Sequence, residues 1–158
     1  MSLSGYEHPA PGMNRLAFLV GSWQGQGWHR AGPDAERRHF PQTEDIQPKL
    51  DGQLLIIEGR GRATADPQRV VHRALAVVFY DAAEARYRWA AFSRGSHLDT
   101  ELNLDNTSIE WAAQLAPQTS MRYRADITGD QWHETAQLST DHGTTWTTTL
   151  DMHLRRLT

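Results

Sequence analysis

The chain has 158 residues, of which 39% are hydrophobic and 22% charged, and its formal net charge at pH 7 is −3. This length fits one domain with a sizeable core, and the composition is typical of a globular protein. The slightly acidic balance argues against a nucleic-acid partner, and the absence of cysteine excludes disulfides, thiolate metal sites and cysteine nucleophiles. No segment reaches the ~20 apolar residues of a membrane helix. We therefore expect a cytoplasmic protein with no membrane or nucleic-acid partner.

The N-terminal part predicts an arm followed by a short helix. Residues 1–12 contain proline and glycine and lack the apolar run of a signal peptide, so we expect a flexible arm. Apolar residues recur at helical spacing over residues 13–20. Gly21 follows at the position where glycine commonly ends a helix. The segment 13–158 is predicted to be a single domain that begins with this helix.

The rest of the chain is predicted to form ten β-strands separated by turns. Apolar Met121, Tyr123 and Ala125 alternate with polar Arg122 and Arg124, as expected for a half-buried strand. Short turns predict antiparallel neighbours, and closing the sheet removes its two exposed edges. We predict an all-β fold, a closed antiparallel up-and-down barrel with a short N-terminal helix. The predicted strands cover residues 23–30, 37–49, 54–63, 70–80, 86–94, 97–104, 108–115, 121–128, 131–139 and 145–155.

Two stretches near the ends of the chain resemble calycin (lipocalin-like) proteins. The stretch FLVGSWQG carries their Gly-x-Trp signature at Gly21 and Trp23, where the helix meets the first strand. The C-terminal stretches DHGTTW and LDMHLRR are similar to the last hairpin of a lipocalin-like bacterial family of unknown function, distantly related to the haem-binding nitrobindins. The resemblance implies a barrel of about ten strands. It also implies that Arg155 or Arg156 packs over Trp23 as a cation–π contact.

The interior of such a barrel is the predicted binding site. Barrels of eight strands can hold one small ligand, and the diameter grows with strand number. We therefore expect a small apolar or amphipathic ligand and no cofactor, although large aromatic side chains in barrels are more often plain core. The pattern does not decide which face of strands 54–63 and 70–80 points inward. The candidate ligand-binding residues are Glu134, Trp111, Tyr123, Trp89, His72, Tyr80 and Arg60.

Glu134 is the candidate with the most specific chemistry. It shares its face with apolar Trp132 and Leu138, so it should point into the barrel. A buried carboxylate is costly unless it is paired, and we favour an internal salt bridge with Arg88 or Arg60. The alternatives are a polar anchor for the ligand or a general base with a raised pKa. Arg60 could instead line a pocket mouth for an anionic ligand, or simply a solvated face.

Other functions stay open beside ligand binding. An enzyme would use Glu134 with His72 or His97 as acid or base, but specific catalytic motifs are missing, and we favour a protein that is not an enzyme. Haem is the alternative that the nitrobindin resemblance implies, with His153 in the last strand as its candidate ligand. His153 lies on the face opposite apolar Leu150, Met152 and Leu154, which predicts an ordinary surface histidine instead. The histidine spacing suggests no metal site, and a filled structural or partner-binding barrel and a homodimer are further possibilities.

Overall fold

A computed structural model describes residues 10–158; residues 1–9, and with them most of the predicted flexible arm, lie outside the described residues. The first element is a 3-10 helix over Met13–Leu19, so the predicted helix is present but of the tighter 3-10 type. Gly12 precedes it with a φ of 85°, a left-handed conformation that glycine adopts at little cost. Within the described residues, no helix is long and apolar enough to cross a membrane.

Ten β-strands follow the helix. All ten strands predicted from the sequence are confirmed, with bounds that differ by at most two residues. The strands are β1 (Gly21–His29), β2 (Arg38–Lys49), β3 (Leu54–Arg62), β4 (Val70–Asp81), β5 (Arg86–Ser93), β6 (Ser96–Asp105), β7 (Ser108–Ala116), β8 (Thr119–Thr128), β9 (Gln131–Ser139) and β10 (Thr147–Arg156).

These strands close into one antiparallel barrel. Each strand pairs with its neighbours in sequence, and β1 pairs with β10 as well as with β2. Trp23 lies opposite Arg156 in one of these ladders and opposite Glu44 in the other. Gly25 permits the close approach of β1 and β10, because a Cβ there would lie 2.0 Å from the carbonyl oxygen of His153. The predicted closed all-β barrel is confirmed.

The 3-10 helix covers one end of the barrel. The indole nitrogen of Trp23 donates a hydrogen bond to the Leu19 carbonyl at 3.0 Å, and the Tyr87 hydroxyl donates to the Gly12 carbonyl at 2.7 Å. Inward side chains at this end pack against the helix and are almost completely buried, so this end is a tightly packed apolar core. Its members include Met13, Leu16, Leu19, Trp23, Ile46, Leu55, Val78, Ile109, Ile127, Trp132 and Leu154.

The opposite end of the barrel is less completely filled. Inward residues toward that end, among them His72, Leu98 and Tyr123, are only half-buried. The 3-10 helix lies at the other end, and we call this half-buried end the open end.

Strand pairing shows which face of β3 and which face of β4 point into the barrel, a question that the sequence pattern did not decide. Gly59 of β3 lies opposite Ala74 of β4, and Gly61 lies opposite His72, and these four residues face inward. Arg60 therefore projects outward, where it is exposed and contacts Glu58 at 3.6 Å. The prediction that Arg60 lines the pocket is corrected: the register of β3 turns it away from the lumen.

Candidate functional site

A polar cluster, Gln42, Glu44 and Glu134, lies inside the largely apolar barrel. Gln42 and Glu44 are buried on the inner face of β2, opposite two glycines of β3. A Cβ at Gly59 would lie 2.7 Å from Glu44 Oε1, and one at Gly61 would lie 2.9 Å from Gln42 Oε1. Because glycine has no side chain, Gly59 and Gly61 of β3 leave the space that Glu44 and Gln42 of β2 occupy.

The two carboxyl groups of this cluster have unusual acidity. Burial raises the pKa of Glu44 to about 7, and a hydrogen bond that Gln42 Nε2 donates to Glu44 Oε1 at 2.6 Å opposes the rise. Burial raises the pKa of Glu134 to about 8, and the charge of Glu44 raises it further. Trp132 Nε1 donates to Glu134 Oε2 at 3.1 Å, which favours the ionised form. Near neutral pH the cluster therefore holds at least one protonated carboxyl group, which both donates and accepts hydrogen bonds.

The salt bridge predicted for Glu134 does not form. Arg88 pairs with Asp99, and Arg60 pairs with Glu58, in both cases on the outside of the barrel. The sequence placed Glu134 correctly on the inner face, but it could not show that both arginines share the outer one. No cation lies beside Glu134 among residues 10–158, so burial of its carboxylate raises the pKa.

Three predicted aromatic residues form one stack along the inner wall. The rings of Trp89 and Trp111 lie 4.2 Å apart at 18°, and those of Trp111 and Tyr123 lie 5.0 Å apart at 1°. Burial and the charge of Glu134 both raise the pKa of the Tyr123 hydroxyl, so the end of the stack lies within electrostatic range of the polar cluster. The predicted residues Trp89, Trp111, Tyr123 and Glu134 are thus brought together.

Some polar atoms of this interior have no partner among the described residues. Trp89 Nε1 and Gln42 Oε1 are buried and make no hydrogen bond. Leaving such a group unpaired costs about 1–3 kcal/mol, so a polar group from a bound molecule would be favoured beside each of them. Glu134 itself is half-buried by its accessible surface, and Trp132 Nε1 is its hydrogen-bond donor.

Two histidines and two arginines lie near one another at the open end of the barrel. His72 faces inward there, and its pKa is lowered by burial, then by Arg94 and His29. The pKa of His29 is lowered by burial, then by Arg38 and Arg94. Arg38 and Arg94 therefore lie close to His29 and His72 at the rim of the open end. An anionic or polar group of a ligand would be stabilised at this position.

Three other candidates lie away from this site. Tyr80 lies at the covered end of the barrel, 5.0 Å from the ring of Tyr87. His97, suggested as a possible acid or base, is exposed and lies opposite Phe92 in the β5–β6 ladder, outside the lumen. His153 also projects outward, as its position in the strand pattern predicted, so it does not present a haem ligand to the interior.

The residues of the calycin-like signature lie together at the covered end. The Arg156 guanidinium lies 4.0 Å from the centre of the Trp23 ring, so Arg156 rather than Arg155 makes the predicted cation–π contact. Gly21 allows this arrangement, because a Cβ there would lie 2.9 Å from Nη1 of Arg156. Its φ of 131° also favours glycine.

Sequence reasoning missed Gln42 and Glu44. Around them, β2 is polar on both faces, with Thr43 and Asp45 as neighbours, so no alternation marks the inner side. The signal that could have found them is the pair of glycines in β3, which only the register of the two strands sets opposite them.

Comparison with known proteins shows the fold. No family model matches the chain, and no curated protein matches it in sequence. Among solved structures, the chain is similar to Rv2717c from M. tuberculosis, with a TM-score of 0.70 and 17% identity over 96% of this chain and 100% of that chain. At this identity the similarity concerns the fold, which is consistent with the calycin-like barrel that the Gly-x-Trp stretch suggested.

Proposed function

We propose that the protein binds a small amphipathic molecule inside the barrel, through the open end. The observation that carries this proposal is the placement of Glu134. Its carboxyl group is inside the barrel, has no cationic partner in the described part of the chain, and lies beside the aromatic stack. A group of this kind is expensive to bury, and an orienting contact to a ligand gives it a physical role.

The chemistry of the interior favours a particular class of ligand. The flat face of half-buried Tyr123, at the end of the aromatic stack, suits an apolar, planar or chain-like body. A protonated Glu134 suits a hydroxyl, carbonyl or amide group on that body better than it suits a second acid. The arginines at the rim, Arg38 and Arg94, favour a ligand whose anionic or strongly polar end stays at the mouth.

Native mass spectrometry of the purified, untagged protein tests the proposal directly. We expect a co-purified small molecule that is released by denaturation. A second test titrates the protein with an anionic amphipathic fluorophore, anilinonaphthalene sulfonate, and follows its emission. The proposal predicts weaker binding by Tyr123→Leu and Glu134→Gln, whereas Arg60→Gln, an outer-face control, should bind as the unsubstituted protein does.

Two results would overturn the ligand-binding proposal. One is a native protein that carries no molecule and binds the fluorophore with the same affinity in all variants. The other is a crystal structure with the lumen filled by side chains. Hemin belongs in the same titrations, and a Soret band that disappears in His72→Ala would make haem the ligand of this interior.

The raised pKa of Glu134, about 8, favours acid–base catalysis in the barrel as a second candidate function. A carboxyl group with this acidity can give up or accept a proton near neutral pH. Glu134→Gln separates the two functions once native mass spectrometry has identified the molecule bound. If the variant keeps its affinity for that molecule but no longer converts it, the protein is an enzyme.

A further inference from the structure

Two histidines and an aspartate form a cluster on the outer face of the barrel. His133 of β9 lies directly opposite His153 of β10, and Asp151 precedes His153 by two residues on the same face. The two imidazole rings stack at 4.2 Å and 8°. We call these three residues the outer histidine cluster; it lies on the opposite side of the sheet from the inward-facing Glu134.

The donor atoms of the cluster converge. Asp151 Oδ1 lies 3.0 Å from His153 Nε2 and 3.3 Å from His133 Nε2, and the ligand atoms of the three residues all lie within 4.8 Å of one another. Ligand atoms around a tetrahedral zinc ion, with bonds of about 2.0–2.1 Å, lie about 3.3 Å apart. The two nitrogen–oxygen distances are therefore close to those of a tetrahedral site. Small rotations of the imidazoles would adjust the third distance, which joins the ligand nitrogens of His133 and His153.

The Nε2 atom of His133 provides a second observation. The His133 side chain is 44% exposed, but its Nε2 atom is buried and makes no hydrogen bond of acceptable geometry with residues 10–158, although Asp151 Oδ1 is 3.3 Å away. A buried imidazole nitrogen without a partner is costly. Coordination of a cation by its lone pair would remove that cost, and the neighbouring carboxylate would supply negative charge.

The surroundings of the cluster are consistent with a three-ligand site. Asp126 of β8 lies opposite His133, and Gln26 of β1 lies opposite His153, so polar residues flank both histidines in adjacent strands. Arg124 and Ser108 hold the Asp126 carboxylate by hydrogen bonds. That leaves Asp151 as the carboxylate available to a cation, and the exposed side of the cluster is open to solvent.

We propose that His133, Asp151 and His153 bind a divalent transition-metal ion, with zinc as the expected physiological class. Imidazole and carboxylate ligands suit Zn²⁺, Co²⁺ and Ni²⁺, whereas Ca²⁺ and Mg²⁺ prefer sites made of oxygen atoms. Three protein ligands leave a fourth position for water or for a donor group from another molecule. The site is separate from the lumen, so its occupation does not depend on the ligand proposed above.

Isothermal titration of untagged, EDTA-stripped protein with ZnCl₂ tests the site. We expect saturable binding of one zinc ion per chain, and a melting temperature that rises with zinc concentration. His133→Ala and His153→Ala should each weaken binding more than about tenfold, and Asp151→Asn should weaken it as well. His97→Ala is the matched control, because His97 is also exposed on a strand but lies outside the cluster.

Cobalt substitution gives a readout of geometry. Co²⁺ in a site with four ligands has intense visible absorption bands, which we expect in the unsubstituted protein and in His97→Ala but not in His133→Ala. Calcium chloride, titrated in the same way, should give no saturable heat. The proposal is wrong if zinc fails to bind, or if His133→Ala and His153→Ala bind it as tightly as the His97→Ala control.

Discussion

The guanidinium of Arg156 covers the indole ring of Trp23 at 4.0 Å and thereby fastens the last strand of the barrel to the first. The same guanidinium donates hydrogen bonds to the Phe18 carbonyl, at 2.8 Å, and to the Val20 carbonyl. These carbonyls belong to the segment that covers the end of the barrel. One side chain therefore joins three parts of the fold: β1, β10 and the 3-10 helix.

Replacing this side chain should destabilise the barrel. Arg156→Ala removes the cation–π contact and two hydrogen bonds, and we expect the free energy of unfolding to fall by about 2–4 kcal/mol. Arg155→Ala is the control; Arg155 is exposed, and we expect a change within about 0.5 kcal/mol. Urea denaturation followed by tryptophan fluorescence measures both, and equal effects of the two substitutions would contradict the assigned role of Arg156.

The buried carboxyl group of Glu134 should make stability depend on pH. Its pKa is about 8 in the folded protein, whereas an unfolded chain titrates near the ordinary glutamate value of about 4.3. Between these values the folded state binds more protons, so the free energy of unfolding falls as pH rises through this window. The total loss in the free energy of unfolding that Glu134 causes is at most about 5 kcal/mol. Below this pH window Glu134 is protonated in both states and causes no loss. Glu44, with a pKa of about 7, acts in the same direction.

Glu134→Gln should flatten this pH profile, because the amide has no charge to bury. We expect the variant to lose less stability than the unsubstituted protein between pH 5 and 9, as measured by urea denaturation at each pH. Glu110→Gln changes an exposed residue of β7 and serves as the control. Parallel profiles for Glu134→Gln and the unsubstituted protein would show that the Glu134 carboxyl is not buried.

Gly25 should tolerate no side chain. A Cβ there would lie 2.0 Å from the carbonyl oxygen of His153 and 2.8 Å from the Cα of Leu154, and both are backbone atoms that cannot rotate away. We expect Gly25→Ala to lower the free energy of unfolding by about 3 kcal/mol or more. Gly32→Ala, in a loop where no atom lies within 4 Å of the added Cβ, should be nearly neutral. Similar melting temperatures for the two variants would argue against the close approach of β1 and β10.

Asp141 should order the turn between β9 and β10. Its carboxylate accepts hydrogen bonds from the Thr145 amide at 2.8 Å, the Thr145 hydroxyl at 2.6 Å and the Ser139 hydroxyl at 2.7 Å. These bonds, led by the one from the Thr145 hydroxyl, lower the pKa of Asp141 to about 2. Their stabilisation is therefore complete above the ordinary aspartate pKa and is lost as pH falls toward 2.

Asp141→Ala should accelerate hydrogen exchange of the Thr145 amide while the exchange of amides in the strands stays unchanged. Asp34→Ala, which removes an exposed aspartate from the loop between β1 and β2, is the control. Unchanged protection of the Thr145 amide would contradict the role assigned to the carboxylate.

Much of the fold was predictable because the signals for it are local. Alternation of apolar and polar residues marked β7 to β10, and turn residues marked their ends, so the strand count and the antiparallel order followed. The same alternation placed Glu134 on the inner face. It gave no result for β4, because that strand is apolar on both sides.

The partners of individual side chains were decided only by the tertiary structure. Glu134 and Glu44 are 90 positions apart in the chain, and His133 and His153 are 20 apart, so spacing along the sequence does not reveal either relationship. Which residues meet depends on the register of strands and on barrel closure, and a shift of one residue turns every side chain to the other face. The sequence by itself therefore determined a barrel with an inward carboxylate. Only the folded chain decided that this carboxylate has no arginine beside it and that two distant histidines share one aspartate.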